Sequence, residues 1–403
     1  MKTKCSRQFR IIQPVLAIIF IILALTSCSS PQETSSDIIN INPDEFINTP
    51  SEGTDWIEEI KFISLETTGT HFVPDDAKTK FRGDYILMGN FDRILIFTSE
   101  GKFVNEIFRK GGGPEEYLFI ADYDLVPGKD EIVIVGNQSI AFYTIDGKFI
   151  EKQPIPFRSI SVAAINTDRF AFILGRERNS RMDSIIRQQF IITDRMGNIL
   201  QQKFEFPFYM INRGFFDEFA QSADSCSNLF TLSYDLSIYQ VDKEAELTQK
   251  YKFDLSPYNP DTSFLQQPDV ENDPKPYRHN SGKFTKLRNF VETTNTLGIQ
   301  VGSDKLQKMA FQFINRASGN QMTLVMDERH WISEYHGWPI YPYLGATTDW
   351  FYQPHPALDA VELLEKLSPE QKTALSKSSG FSQLSQLKED DNMLFMLYRV
   401  KDF

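Results

Sequence analysis

The sequence predicts an all-β protein, a β-propeller of four-stranded antiparallel blades, on three observations. From Trp56 onward the chain runs in short apolar stretches rich in Ile, Phe, Val and Tyr, broken by Gly, Asp and Asn, the pattern of strands joined by turns. Four segments then align without gaps: Ile94-Leu-Ile-Phe-Thr-Ser-Glu-Gly101, Ile140-Ala-Phe-Tyr-Thr-Ile-Asp-Gly147, Phe190-Ile-Ile-Thr-Asp-Arg-Met-Gly197 and Ile238-Tyr-Gln-Val-Asp-Lys-Glu-Ala245. Their turn positions lie 46, 50 and 48 residues apart, with no amphipathic helix before residue 357. Several strands in a period of that length make one propeller blade; a solenoid repeat is usually shorter, and a parallel α/β unit would need a helix. An all-β sandwich with chance glycine turns is the competing architecture.

The chain opens on Lys2, Lys4, Arg7 and Arg10, followed by the apolar run Val15 to Leu25. At about 1.5 Å per residue this run covers about half of a hydrocarbon core of about 30 Å, so residues 1–27 read as a signal peptide and not a spanning helix. Leu25-Thr26-Ser27-Cys28 resembles the lipobox of bacterial lipoproteins, and the resemblance implies that Cys28 becomes the lipidated first residue of the mature chain. Ser29 stands where such lipoproteins carry aspartate when they are retained at the inner membrane, so an outer-membrane lipoprotein, facing the periplasm or the exterior, is expected. Residues 28–53 are polar, contain Pro and lack a period, as a flexible tether would.

Residues 54–403 hold the propeller. Each aligned segment is followed by a second apolar stretch, and the Glu-Gly, Asp-Gly and Met-Gly steps put glycine where a tight hairpin needs positive φ. Asn315 to Asn320, with Gly319, reads as a fifth copy. Residues 255–289 carry prolines 257, 260, 268, 274 and 276 and read as a loop insertion. Residues 357–389 form a small helical insertion near the C-terminus, where Ser368-Pro369-Glu370-Gln371 has the form of a capping box with Pro at the first helical position. The apolar run from Asn392 to Val400 is expected to join Trp56 to Leu65 in the last blade, closing the ring with strands from both ends.

The stretch from Tyr85 to Phe157 orders a strand, a Gly-Lys-Phe hairpin, Arg109-Lys-Gly-Gly-Gly-Pro-Glu-Glu-Tyr117, a strand and Asp146-Gly-Lys-Phe-Ile150. It resembles the six-bladed β-propeller lipoproteins of gut-type Gram-negative anaerobes, a largely uncharacterised family with a Gly-x-Gly-Pro-Gly-Glu-Tyr signature after the first blade. Ile63-Ser-Leu-Glu66 and Glu389-Asp-Asp-Asn392 are also typical of it. The resemblance covers about residues 56–403, is strongest over 56–160, and implies six blades and a lipid-anchored location. Glu115 departs from the pattern, standing where the family has glycine.

Composition narrows the function classes. Removing the signal takes four basic and no acidic residues, so the net charge of −12 becomes −16. An acidic chain without a basic block does not suit nucleic acid. Of three cysteines, Cys5 leaves with the signal and Cys28 takes lipid, so Cys226 stands alone and packing must supply the stability. Gly111-Gly112-Gly113 lacks the Lys-Ser/Thr of a phosphate loop and reads as an inter-blade turn with Tyr117 packed behind it. Glu115 and Glu116 are adjacent and would face opposite ways in a strand, which does not suit a glycosidase pair. His71, His279, His330, His336 and His355 show no metal-ligand spacing, and no cofactor motif is present.

The densest unusual segment runs from His330 to His355 and holds three of the four tryptophans. Trp331, Trp338, Trp350 and Tyr352 are the candidate ligand platform, since such rings stack on sugars and other flat ligands; filling of the sixth blade is the alternative. The expected function is a binding or scaffold module for a glycan, a peptide or a partner protein, anchored to the membrane by its lipid. A propeller enzyme, a glycoside hydrolase or polysaccharide lyase with its site in the central mouth, is the second reading. It would need acidic and basic residues at equivalent blade positions, and the aligned hairpins contain no such series.

Overall fold

A computed structural model describes residues 38–43, 56–174, 188–205, 219–232, 235–263, 283, 287–302, 309–326, 332–341 and 345–403. Cys28, residues 29–37 and 44–53 of the expected tether and Trp331 lie outside the described residues, as does most of the loop insertion, while Ile38–Asn40 of that expected tether form a strand.

Blades 1 to 5 are sheets whose four core strands follow one another in the chain from the ring axis outward. Blade 1 comprises β3 (Lys78–Arg82), β4 (Tyr85–Gly89), β5 (Ile94–Thr98) and β6 (Phe103–Ile107). Blade 2 comprises β7 (Asp122–Leu125), β8 (Glu131–Gly136), β9 (Ser139–Thr144) and β10 (Phe149–Pro154). Blade 3 comprises β11 (Ser159–Ala164), β12 (Arg169–Leu174), β13 (Gln188–Asp194) and β14 (Ile199–Glu205). Blade 4 has β15 (Ala220–Gln221), β16 (Asn228–Thr231), β17 (Ser237–Val241) and β18 (Leu247–Asp254), and β1 (Ile38–Asn40) adds a fifth, parallel strand to its outer edge. Blade 5 has β19 (Arg288–Glu292), β20 (Thr296–Gly302), β21 (Met309–Asn315) and β22 (Gln321–Val325). Blade 6 joins β25 (Gly345–Ala346), β26 (Phe351–His355) and β27 (Leu394–Val400) to β2 (Ile57–Ser64). The fold is therefore a six-bladed β-propeller of four-stranded antiparallel blades, closed where β2 pairs with β27 from Ile57↔Val400 to Ser64↔Leu394.

The strands read as continuous apolar runs because both faces of each blade are covered. Side chains alternate across a strand, so Ile86 and Met88 of β4 pack toward blade 6 while Leu87 packs toward blade 2. Six apolar clusters result, one for each junction between neighbouring blades. Burying a single Ile, Leu or Phe contributes about 1.5–3 kcal/mol, which is how the ring holds with no disulfide among the described residues. Among the described residues phenylalanine serves this purpose repeatedly: Phe97, Phe142, Phe157, Phe170, Phe172, Phe190, Phe230 and Phe311 are all fully buried.

The outer hairpins follow the predicted turns. Gly101, Gly147, Gly197 and Gly319 have φ of 85°, 79°, 82° and 75°, and Ala245 takes 69° at the fourth turn without glycine's freedom. Gly101 is constrained twice, because a Cβ there would lie 2.2 Å from the Ser64 carbonyl oxygen in blade 6. Between β26 and β27 lie three short helices, α1 (Ala357–Lys366), α2 (Pro369–Leu375) and α3 (Phe381–Gln386). The Ser368–Gln371 capping box is formed in both directions. The segment ahead of α3 docks on the free edge of β2, where Phe62 N–H donates to the Ser379 carbonyl at 2.8 Å. A short hairpin, β23 (Ser333–Tyr335) and β24 (Trp338–Ile340), precedes blade 6.

Candidate functional site

The inner strands of blades 1 and 2 carry charge where the central strands of those blades are largely apolar. In β3 the alternation of Lys78, Lys80 and Arg82 puts three cations on one face, while Phe81 of the other face packs against Tyr352 and Phe395. Asp122 and Asp124 of β7 meet them. Lys78 Nζ lies 3.0 Å and Lys80 Nζ 3.1 Å from Asp122, and Arg82 Nε donates to Asp124 at 2.7 Å. Blade 3 completes both acids. Ser161 Oγ and Val162 N–H donate to Asp122 at 2.7 and 2.8 Å, and Ala164 N–H donates to Asp124 at 3.1 Å.

Two of the cations span the ring. Lys80, 4% exposed, also donates to the carbonyls of Tyr123 in blade 2 and Val162 in blade 3. Arg82 reaches Gln221 Oε1 of blade 4 at 3.2 Å; blades 1 and 4 stand opposite one another in a six-membered ring, so its guanidinium lies across the axis. Burial alone would raise the Asp122 pKa, but Lys78, Lys80, the Val162 amide and the Ser161 hydroxyl outweigh it and hold the carboxyl well below the ordinary range. Burial lowers the Lys80 pKa against the opposing pull of Asp122 and Asp124.

These residues correct one expectation. Followed through the ladders, Lys80, Asp124, Ala163, Ala220 and Glu292 all stand at one blade position, opposite the residue five before each outer turn. Lys78, Asp122 and Ser161 share the position two residues earlier. Charges therefore recur at three of the first five positions and two of the second three, two strands inward of the aligned hairpins, with Ala163, Ala220 and Ser161 at the others. Their signal in the sequence is opposite charge at nearly one blade's spacing, such as Lys78 and Asp122.

Glu292 forms a second cluster between blades 4 and 5. Its carboxylate accepts from Ser222 Oγ at 2.7 Å, Ala223 N–H at 3.0 Å and Tyr251 O–H at 2.5 Å, with Lys250 Nζ at 2.9 Å and Arg316 Nη2 at 3.2 Å. Burial acts to raise its pKa, and Lys250 with these donors brings it below the ordinary value.

The aromatic candidates are dispersed. Trp338 is fully buried, its Nε1–H donating to His355 Nε2 at 3.1 Å. His355 Nε2 also lies 2.8 Å from Gln353 Nε2, and burial pushes the ring's pKa down to about 3, so the imidazole is neutral. Tyr352 is 7% exposed, in the junction of blades 6 and 1. Trp350 is half-buried, its ring flanked by Lys61 Nζ at 4.4 Å and the Arg399 guanidinium at 4.2 Å.

The glycine-rich loop is closed on itself. Glu116 Oε2 accepts from Gly113 N–H at 2.7 Å, and a Cβ on Gly111 would lie 2.0 Å from that oxygen. Tyr143 O–H donates to the Glu115 carbonyl and Lys152 to the Glu116 carbonyl. Tyr117 is buried, its hydroxyl donating to the Asp92 carbonyl and its pKa pushed up to about 12 by burial. The loop is thus a clasp between blades 1 and 2. Cys226 is exposed on the inner turn of blade 4. Among the described residues no group of three His, Cys, Asp or Glu is placed to hold a metal ion, and no helix is long and apolar enough to cross a membrane.

The sequence profile described as "Domain of unknown function (DUF4934)" matches residues 38–399. The chain belongs to this family. Its fold is similar to the crystal structure of a protein from Bacteroides fragilis described as a "Putative exported protein", with a TM-score of 0.70 and 17% identity over 91% of this chain and 100% of that one. A DUF4221 family member from Bacteroides vulgatus matches with a TM-score of 0.46 and 11% identity, over 86% of this chain and 98% of that one. No curated protein matches the chain.

Proposed function

We propose that this DUF4934 chain is an extracytoplasmic propeller, anchored to the outer membrane through lipid on Cys28, that binds a glycan, a peptide or a partner protein and does not transform it. The observation that carries the preference for binding is the state of the axis. A glycosidase needs two carboxyl groups facing one bond across about 5–9 Å, one of them kept protonated. Asp122 and Asp124 instead hold cations and backbone amides of the neighbouring blade, and Asp122 is held ionised. The charges of the inner strands serve one another. The exported description of the Bacteroides fragilis protein and the basic-then-apolar start ending at Cys28 support the location.

Two measurements test this reading. The mature chain is applied to glycan and peptide arrays and to a panel of glycosidase and lyase substrates; binding without turnover is expected, and turnover abolished by Asp122→Asn would overturn it. Fractionation with lipid labelling tests the anchor, since one acyl chain holds a protein only marginally and the multiply acylated lipoprotein terminus holds it stably. Cys28→Ala is expected to yield unlabelled, unanchored protein, and persistent labelling would sink the assignment.

A further inference from the structure

On the face where the strand hairpins of blades 5 and 6 meet, Thr294, Asn295, Asn315, Ser318, Asp402 and Phe403 line an open cleft of about 450 Å³. That size falls within the roughly 300–1,000 Å³ usual for small-ligand sites. We infer that this cleft is a subsite for one or two residues of a neutral glycan; the inference rests on the binding reading and names its ligand class and place.

The walls are pre-organised by ties between separate turns. Thr294 N–H donates to the Thr348 carbonyl at 2.7 Å and its hydroxyl to Asp349 at 2.9 Å, which fixes the inner turn of blade 5 to that of blade 6. Arg316 Nη1 donates to the carbonyls of Thr293 and Thr294 at 2.8 Å each, fixing the outer turn to the inner one. Ser318 Oγ donates to the Phe403 carbonyl at 3.3 Å, and Lys401 N–H donates to the Trp56 carbonyl at 2.9 Å, holding residues 401–403 as the third wall. Three turns and a tail are thus held before any ligand arrives, which lowers the ordering cost of binding.

The polar groups left over are those a sugar needs. Asn315 is 6% exposed, and its Oδ1 is engaged by the amides of Ala317 and Ser318, while its Nδ2 donors have no partner among the described residues. The exposed Asn295 amide and Asp402 carboxylate likewise make no side-chain hydrogen bond or ion pair among the described residues. An amide donates to ring and hydroxyl oxygens, a carboxylate accepts from adjacent hydroxyls, and the half-buried Phe403, which packs against the core of blades 5 and 6, adds apolar surface to the cleft wall. Charge selects the neutral class. No cation lines the cleft, Arg316 is turned to Glu292 and the two threonine carbonyls, and the Asp402 carboxylate repels an acidic sugar.

Titration calorimetry of the mature chain with gluco-, galacto-, manno- and xylo-oligosaccharides, and with uronate oligosaccharides for comparison, tests the inference. At least one neutral series is expected to bind, with affinity about ten-fold weaker in Phe403→Ala and in Asp402→Ala, the size of a lost ring contact or hydrogen bond. Asp402 is exposed and unpaired among the described residues, so its variant is expected to keep the parent's melting temperature. Neutral glycan binding unchanged in both variants would overturn the cleft while leaving the binding reading in place. Preference for uronates, or binding of peptides alone, would overturn the ligand class. Silence on every glycan and peptide would overturn the inference together with the binding reading.

Discussion

Blades 1–3 and blades 4–6 solve one problem in two ways. Both halves place a carboxylate on an inner strand and let it accept a backbone N–H of an adjacent blade: Asp122 from Val162, Asp124 from Ala164, and Glu292 from Ala223. In the first half the balancing cations come from a neighbouring inner strand, and Lys80 and Arg82 are nearly dry, with side chains 4% and 11% exposed, while Lys78 at the strand's end keeps 21%. In the second half they come from the outer strand β18 and an outer turn, and Lys250 and Arg316 keep 19% and 28% of their side-chain surface in water. A dry network must be complete, because removing one member strands its partners in a low dielectric. The wetter one can fall back on solvent.

The largest expected effect therefore belongs to the dry cluster. Asp122→Ala leaves Lys80 buried without its partner and should cost about 3–5 kcal/mol in denaturant unfolding. Adding Lys80→Met should recover much of that loss, and a double variant no better than the single would show that the ion pair is not the source. Next comes an acid-side effect in blade 6. His355 has its pKa lowered from 6.5 to about 3 by burial, so its contribution is fully present above pH 6.5 and is lost as pH falls toward 3. His355→Gln keeps an acceptor for Trp338, and melting temperatures between about pH 4.5 and 6.5 should flatten in that variant. Glu292→Gln should cost less than Asp122→Ala, about 1–2 kcal/mol, because its cations reach water; an equal cost would erase the distinction between the halves. The smallest effect has the opposite sign. Ala245→Gly relieves a positive φ and should stabilise by about 0.5–1 kcal/mol, whereas Gly101→Ala, aimed at the Ser64 carbonyl, should destabilise.

The contrast also marks what the sequence could reveal. Glycines 101, 147 and 197, the Gly319 turn, the closure of β2 on β27 and the Ser368 capping box were legible because turn chemistry and strand period are local properties. The axis was not. Lys78-Thr-Lys-Phe-Arg82 has the pattern of a strand with a wet charged face, and nothing within five residues distinguishes charges facing water from charges facing Asp122 across a blade junction. Inner turns of different length, Arg82 to Tyr85 in blade 1 against Leu125 to Ile132 in blade 2, also break the ungapped alignment before it reaches the inner strands. Trp338 and Tyr352 show the same limit, since a ring suited to stacking on a sugar is equally suited to filling a blade, and composition does not separate the two.

The closure of blade 6 sets an order of events. Ile57 finds its ladder partner only at Val400, so β2 is an orphan edge through the making of nearly the whole chain. Bringing such distant segments together costs chain entropy before any contact offsets it, and non-local β pairing is slow for that reason. Blades 1–3, each built from consecutive strands, can form early, but the ring cannot lock. A ring whose first-made edge waits for the last-made strand can shut only when the chain is whole, so its final lock comes after every other blade has its strands.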